Sequence, residues 1–270
     1  MIGATDIVTL AAGVEIRQEL LRDSVRGHAW PLNASGAFVL ARAGRPVGVV
    51  ASELAAAFSL PPAEARNDVL RFVWQLNRLA LVNVERTTSS VGRLLDWLWL
   101  AVRLAPVGAL PVPITRRRAI DTRSAARAIW STFNAVLPRV IVVAAVATIL
   151  AAHLALIAGS GLSVPLLLGL GTGLGLGLHE AAHAALLRGV PSALVVRGAR
   201  TYVLHAAVAP SRRVLVAVSG PLAVAALGLV LVLGGMTATA PAVTIAGCPF
   251  AAHALALTVV GGDGRVACGL

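Results

Sequence analysis

Six residues read Leu178-His179-Glu180-Ala181-Ala182-His183. On a helix the two histidines fall one turn apart on one face, so both imidazoles can reach one zinc ion. Glu180 stands beside them, where a carboxylate serves as general base on water at the metal. A hydrolytic zinc site takes three protein ligands and keeps one position for water. Further carboxylates are scarce: between Thr122 and Leu270 the acids are Glu180 and Asp263 alone. Asp263, in Gly262-Asp263-Gly264-Arg265, is therefore the expected third ligand, which leaves Glu180 as the base. His153, His205 and His253 lie off this motif. His253, ten residues before Asp263, reads as polar core or as a residue lining the cavity.

The elements that carry these groups follow from composition. Of 270 residues, 57% are apolar and 13% charged, with a mean hydropathy of +0.83. Soluble domains carry about 25% charged residues, so a soluble globular enzyme and a disordered chain are both excluded. Residues 140–179 and 214–262 hold no Asp, Glu, Lys or Arg. A span needs about 20 apolar residues, so each run holds two, divided at Gly159-Ser160-Gly161 and at Gly234-Gly235 through Pro241. The expected spans are about 140–158, 164–187, 214–235 and 241–262. His179, Glu180 and His183 then lie in a span, where an ionisable residue is expensive and usually functional.

The net charge is +11, and all 23 basic residues are Arg. Arg103 to Arg139, Arg188 to Arg213, and Arg265 fall on one side of the four spans, while the opposite loops carry no charge. The positive-inside rule makes that side cytoplasmic. The excess is thus juxtamembrane, and no nucleic-acid partner is expected. Met1 to Leu10 contains Asp6 and no basic run, so no signal peptide is read there. Cys248 and Cys268 make no disulfide framework. The alternating glycines Gly171 to Gly177 lack the Lys of a phosphate loop and permit close helix contact.

Residues 1–93 carry ten Arg and eight acids and read as a soluble domain. Residues 94–138 read as a linker with an interfacial helix over Leu94–Ile114, and 139–270 as the membrane domain. In the first domain, strands are expected over 9–16 and 28–32, and a helix capped by Asn33 runs through Leu40. A helix over Val47–Phe58 has an apolar stripe at Val50, Leu54 and Phe58. Pro61-Pro62 starts another that reaches about Leu79, and 81–84 closes as a strand. The expected fold is a small α+β winged-helix-like domain followed by an all-α polytopic membrane domain of about four spans.

Gly27 to Gly36, Val47 to Phe58, Asp68-Val69-Leu70-Arg71-Phe72 and Leu79 to Val82 together resemble PqqD-like domains, the leader-peptide recognition elements of ribosomally made, post-translationally modified peptides. The resemblance covers about 70 residues. It implies that a leader peptide adds as a strand to the sheet edge and packs against the last helix.

His179-Glu180-x-x-His183, Ser219-Gly220-Pro221 and Asp263-Gly264 resemble the three motifs of the site-2 protease family of intramembrane zinc metalloproteases, over about residues 139–270. That resemblance implies a short β-segment near 201–208 and a role for Gly220 and Pro221 beside the substrate. His205 is a further candidate for substrate or oxyanion contact, with Arg197. The chain departs from the family in three places. Val224 stands where an Asn follows the Gly-Pro motif, Leu255–Val260 lacks the Asn and Pro that precede Asp-Gly, and seven residues follow Asp263. A second membrane subunit completing the site is expected from the last.

The function expected is a zinc peptidase of the bacterial inner membrane, its leader-binding domain and active site toward the cytoplasm, that cleaves a precursor peptide. The alternative is a non-proteolytic subunit, dehydrating or epimerising the peptide within a membrane complex.

Overall fold

The computed structural model describes residues 2–86, 114–158, 162–197 and 200–257. The chain divides into two compact units, one within Met1–Ala119 and Ala193–Leu204, the other within Ile120–Ser192 and His205–Leu270.

The first unit is β-rich. Strand β1 (Ile7–Leu10) pairs antiparallel with β5 (Val82–Glu85), placing Val8 opposite Val84. Strands β2 (Val14–Arg17), β3 (Leu20–Asp23) and β4 (His28–Pro31) form a meander in that order. The expected strand over 9–16 is thus two strands broken at Gly13, and β3 is an additional one. Gln18 and Glu19 both take the left-handed conformation at the β2–β3 turn, the pairing that a tight two-residue hairpin requires.

Three helices follow. In α1 (Ala34–Leu40) the Asn33 carboxamide accepts from the Gly36 N–H at 2.8 Å. Helix α2 (Val47–Phe58) ends at Ser59 in a left-handed cap, and α3 (Pro62–Arg78) opens on proline. Val50, Leu54, Val69, Val73 and Leu76 bury their side chains with Leu21 and Val82 in one core.

The expected soluble domain 1–93 is one part of this unit, which also takes in β6 (Thr115–Ala119), β7 (Ser192–Arg197) and β8 (Arg200–His205), a sheet in that order. Strand β6 is fastened by two asparagines whose side-chain amides imitate a peptide group. Asn77 donates to the Thr115 carbonyl at 2.7 Å and accepts from its N–H at 2.9 Å. Asn83 does the same to Arg117, at 3.0 and 2.7 Å. Arg197 donates from Nε to Thr115 Oγ1 at 2.9 Å and from Nη2 to the Arg78 carbonyl.

The second unit is helical: α4 (Ala125–Ala158), α5 (Ser163–Ala185), α6 (Pro210–Thr237) and α7 (Pro241–Ala251), which passes into a 3₁₀ helix (Ala252–Leu257). Among the described residues, three helices are long and apolar enough to cross a membrane, Ala125–Leu156, Ser163–Ala185 and Pro210–Thr237. Their outer faces expose Ile141, Leu150, Leu154, Leu170 and Val230 by half or more, surface that lipid accepts and water does not.

Of the four expected spans, three appear as helices long enough to cross a membrane, and the fourth, 241–262, is described only as far as Leu257. The first helix begins at Ala125, well before 140, and the fourth apolar segment is a short helix with Pro249 inside it that tightens to 3₁₀ at Ala252. The expected interfacial helix over 94–114 lies, but for Ile114, outside the described residues, as do 258–270.

Helix α5 is the most buried of the three, with half of its most apolar stretch inside. Its alternating glycines serve two neighbours. Gly173 and Gly177 lie against Val140, Ala144 and Phe133 of α4, while Gly171 and Gly175 lie against Ala246, Pro249 and His253.

Candidate metal centre

The last two turns of α5 carry the His179-Glu180-x-x-His183 motif, as a helix with these residue types would. His179 Nε2 and His183 Nε2 stand 3.0 Å apart, with their rings near perpendicular. Two imidazoles on a tetrahedral zinc bring their nitrogens to about 3.3 Å, given bonds of about 2.0–2.1 Å. The pair therefore fits one metal ion.

His183 is 7% exposed, and its Nδ1 lies 2.5 Å from the Val216 carbonyl of α6. A carbonyl only accepts, so Nδ1 carries the proton and Nε2 presents its lone pair. That is the arrangement by which an outer hydrogen bond orients a metal ligand.

Gly220 and Pro221 are both buried on α6, and Gly220 lies against this pair. A methyl on Gly220 would come within 2.6 Å of the His183 Cε1 and Nε2 and 2.9 Å of the His179 carbonyl. Glycine at 220 is what admits α6 to the histidines. Ser219 Oγ donates to the Val216 carbonyl at 2.8 Å and Ala182 at 3.4 Å, along the same seam.

Glu180 is 4% exposed. Arg139 of α4 acts on it electrostatically, a partner the sequence reading did not name. In α4 it is the single Arg after Arg127, and the charge pattern grouped it with the arginines that flank the expected first span.

The other candidates are distributed differently. Asp263 lies outside the described residues. His205 ends β8, where its Nδ1 donates to the Ala206 carbonyl at 2.7 Å, and it is not among the rings gathered at His179. Arg197 is engaged in the β-rich unit by Thr115 and Arg78. Val224 is 1% exposed, so this position of α6 is apolar core and offers no amide to a substrate strand. His253 stands next to His179, with ring centroids 5.6 Å apart. Among the described residues, no group of three or more His, Cys, Asp or Glu side chains is placed so that it could hold a metal ion.

Comparison with known proteins bears on the first unit. Residues 19–82 match the family described as Coenzyme PQQ synthesis protein D (PqqD). The chain carries a PqqD-like domain. The match runs from β3 through the three helices into β5, and it supports the reading of this domain as a peptide-recognition element in the making of ribosomally synthesised modified peptides. Neither the curated proteins nor the solved structures compared with the chain match it.

Proposed function

We propose that the chain is a membrane-embedded zinc peptidase that captures the leader of a ribosomally made precursor peptide and cleaves that precursor. The observation that carries this reading is the convergence of two imidazole nitrogens at 3.0 Å beside a buried Glu180, on a helix fit to cross a membrane.

His179 and His183 would hold the metal, with a third ligand from the C-terminal part, for which the sequence offers Asp263. When bound there, zinc supplies Lewis acidity toward water and the scissile carbonyl. Glu180 takes the proton from the attacking water and returns it to the leaving amine. The Val216 carbonyl holds the His183 ring in its ligating tautomer. Val216 and Gly220 thereby fix one wall of the site.

The PqqD-like domain binds the leader at a sheet edge, where main-chain hydrogen bonds give affinity. Both β2 and β4 are edges of its meander. Tethering raises the effective concentration of the scissile bond at the metal. The Arg residues flanking the helices support an orientation with this domain and the active site toward the cytoplasm of a bacterial inner membrane.

One observation favours a second reading. The buried Val224 leaves α6 without the amide that clamps a substrate strand in the resembling proteases, which suits dehydration or epimerisation of a peptide side chain, with a second membrane subunit. Incubating the purified full chain with its precursor, with zinc and with chelator, decides between them by mass spectrometry. A zinc-dependent cut supports the peptidase, and an uncut precursor with altered mass or stereochemistry supports the other.

A further inference from the structure

We infer that Arg212 is a positioning residue for the pair His179 and His183: it sets the register of α6 on α5, and so the place where the Val216 carbonyl meets the His183 ring. This rests on the zinc reading above and names what holds the outer bond of one expected ligand.

Arg212, Val216 and Gly220 follow one another at intervals of four on α6, and so share one stripe of that helix. Each of them meets α5 or its cap. Arg212 donates from Nε and Nη2 to the Leu186 carbonyl, at 3.1 and 2.8 Å. The Val216 carbonyl accepts from His183 Nδ1. Gly220 lies against the His179 carbonyl and the His183 ring. Ser219, beside the stripe, donates to the Ala182 carbonyl at 3.4 Å. As α6 advances from 212 to 220, its partners retreat from 186 to 179. The two helices are therefore antiparallel in one register, and Arg212 holds its first step.

The acceptors explain why arginine stands there. Leu186 is the C-terminal cap of α5, and the last carbonyls of a helix have no N–H of that helix to bond. A third bond runs from Nη2 to the Arg188 carbonyl at 3.0 Å, just beyond the cap. A guanidinium carries its N–H donors in a rigid plane, so one side chain fixes both carbonyls at once. A cation also suits the negative end of the helix dipole. Arg213, the next residue, is exposed and outside the stripe.

His183 is sensitive to small errors of register. One residue along a helix is about 1.5 Å, whereas an N–H···O bond spans about 2.7–3.2 Å in all. Slipping α6 by one such step breaks the Val216 bond. The ring then loses the acceptor that keeps its proton on Nδ1 and its lone pair on Nε2.

The test uses the full chain in detergent, with the histidine nitrogens isotope-labelled. Magnetic resonance of the zinc-free protein at fixed neutral pH reads which nitrogen of His183 carries the proton, its signal being assigned by its absence in His183→Ala. Competition with a chelator then gives the affinity for added zinc. The proton is expected on Nδ1 in the unaltered protein and in Arg213→Met. In Arg212→Met it is expected to be shared between both nitrogens, with zinc affinity lower by about 10–100-fold, the loss that follows removal of an outer partner. Arg212→Lys keeps the charge without the fork, and is expected to lose at least about tenfold with the helix content of the unaltered protein. An unchanged tautomer and unchanged affinity in both Arg212 variants overturn the inference while the zinc reading stands. An equal loss in Arg213→Met overturns it too, as does loss of zinc that comes only with loss of helix content in both Arg212 variants, since Arg212 would then serve the fold alone. An unaltered protein that takes up no zinc overturns the zinc reading, and the His183 nitrogens still decide the role of Arg212.

Discussion

Arg117 grips Asp23 with both terminal nitrogens at 2.7 Å, and neither side chain is exposed to solvent. The two residues lie 94 positions apart, on β6 and β3. Asp23 also accepts from the N–H groups of Val25 and Arg26. Removing one member of such a pair leaves the other charged and buried, which costs about 3–5 kcal/mol. Arg117→Met is therefore expected to destabilise the β-rich unit by about that amount. Asp23→Asn together with Arg117→Met should cost less than the single change. Hydrogen exchange of the β3 and β6 amides measures both. A fragment ending before β6 should show the same loss, because it lacks Arg117.

The pair also sets an acid limit. Burial alone would push the Asp23 carboxyl up, but the hydrogen bonds and charge of Arg117, with the Arg26 and Val25 N–H groups, hold it below its usual 3.8. A carboxyl lowered in the folded state contributes stability that is complete above its unfolded value and lost as pH falls through the folded one. Stability of this unit is expected to hold from neutral pH to about 4 and to decline below that. In Asp23→Asn this part of the decline should be absent in acid titrations followed by hydrogen exchange.

His183 offers a direct test of the metal. His183→Ala removes one of two converging nitrogens and empties the space beside Gly220. Zinc content of the purified protein is expected to fall from one per chain to near none. Unchanged zinc would place the metal elsewhere.

Much of this was legible from residue types. The helix over Val47–Phe58, the Asn33 cap and the closing strand appear where local rules put them, because apolar spacing and capping act within a few residues. The approach of Gly220 to His183 follows the order of motifs. Two features were not legible. Strand β6 lies beside Arg-rich residues that carry no alternation, and it is held by Asn77 and Asn83 from 34 to 38 residues away. The electrostatic coupling of Arg139 to Glu180 was not legible either, because the charge pattern sets Arg139 just outside the expected first span. The start of the first span was misplaced for another reason: hydropathy marks the uncharged run from 140, whereas the helix itself begins at Ala125.

Leader binding has its own signature. If the leader adds as a strand, its backbone N–H groups on alternate residues bond the sheet edge, each contributing about 0.5–1.5 kcal/mol. Methylating the nitrogens of one alternate set is expected to weaken binding at least about tenfold, while methylating the other set leaves it nearly unchanged. Fluorescence anisotropy with the labelled leader and the full chain reads this. Equal effects of the two sets would count against strand addition.

Glu180→Gln separates peptidase from modifying enzyme. The amide keeps the size of the carboxylate and leaves His179, His183 and Asp263 in place, so zinc should stay bound. Glutamine cannot take a proton from water at neutral pH, and general-base catalysis contributes about 10²–10⁴-fold. A peptidase should therefore lose cleavage by about that factor and keep its affinity for the leader. Mass spectrometry of the precursor after incubation with each protein gives the rate. Cleavage in the variant at the unaltered rate would remove Glu180 from the chemistry. An uncut precursor from the unaltered protein, carrying a lost water or an inverted centre, would assign Glu180 instead to proton transfer at a side chain or Cα.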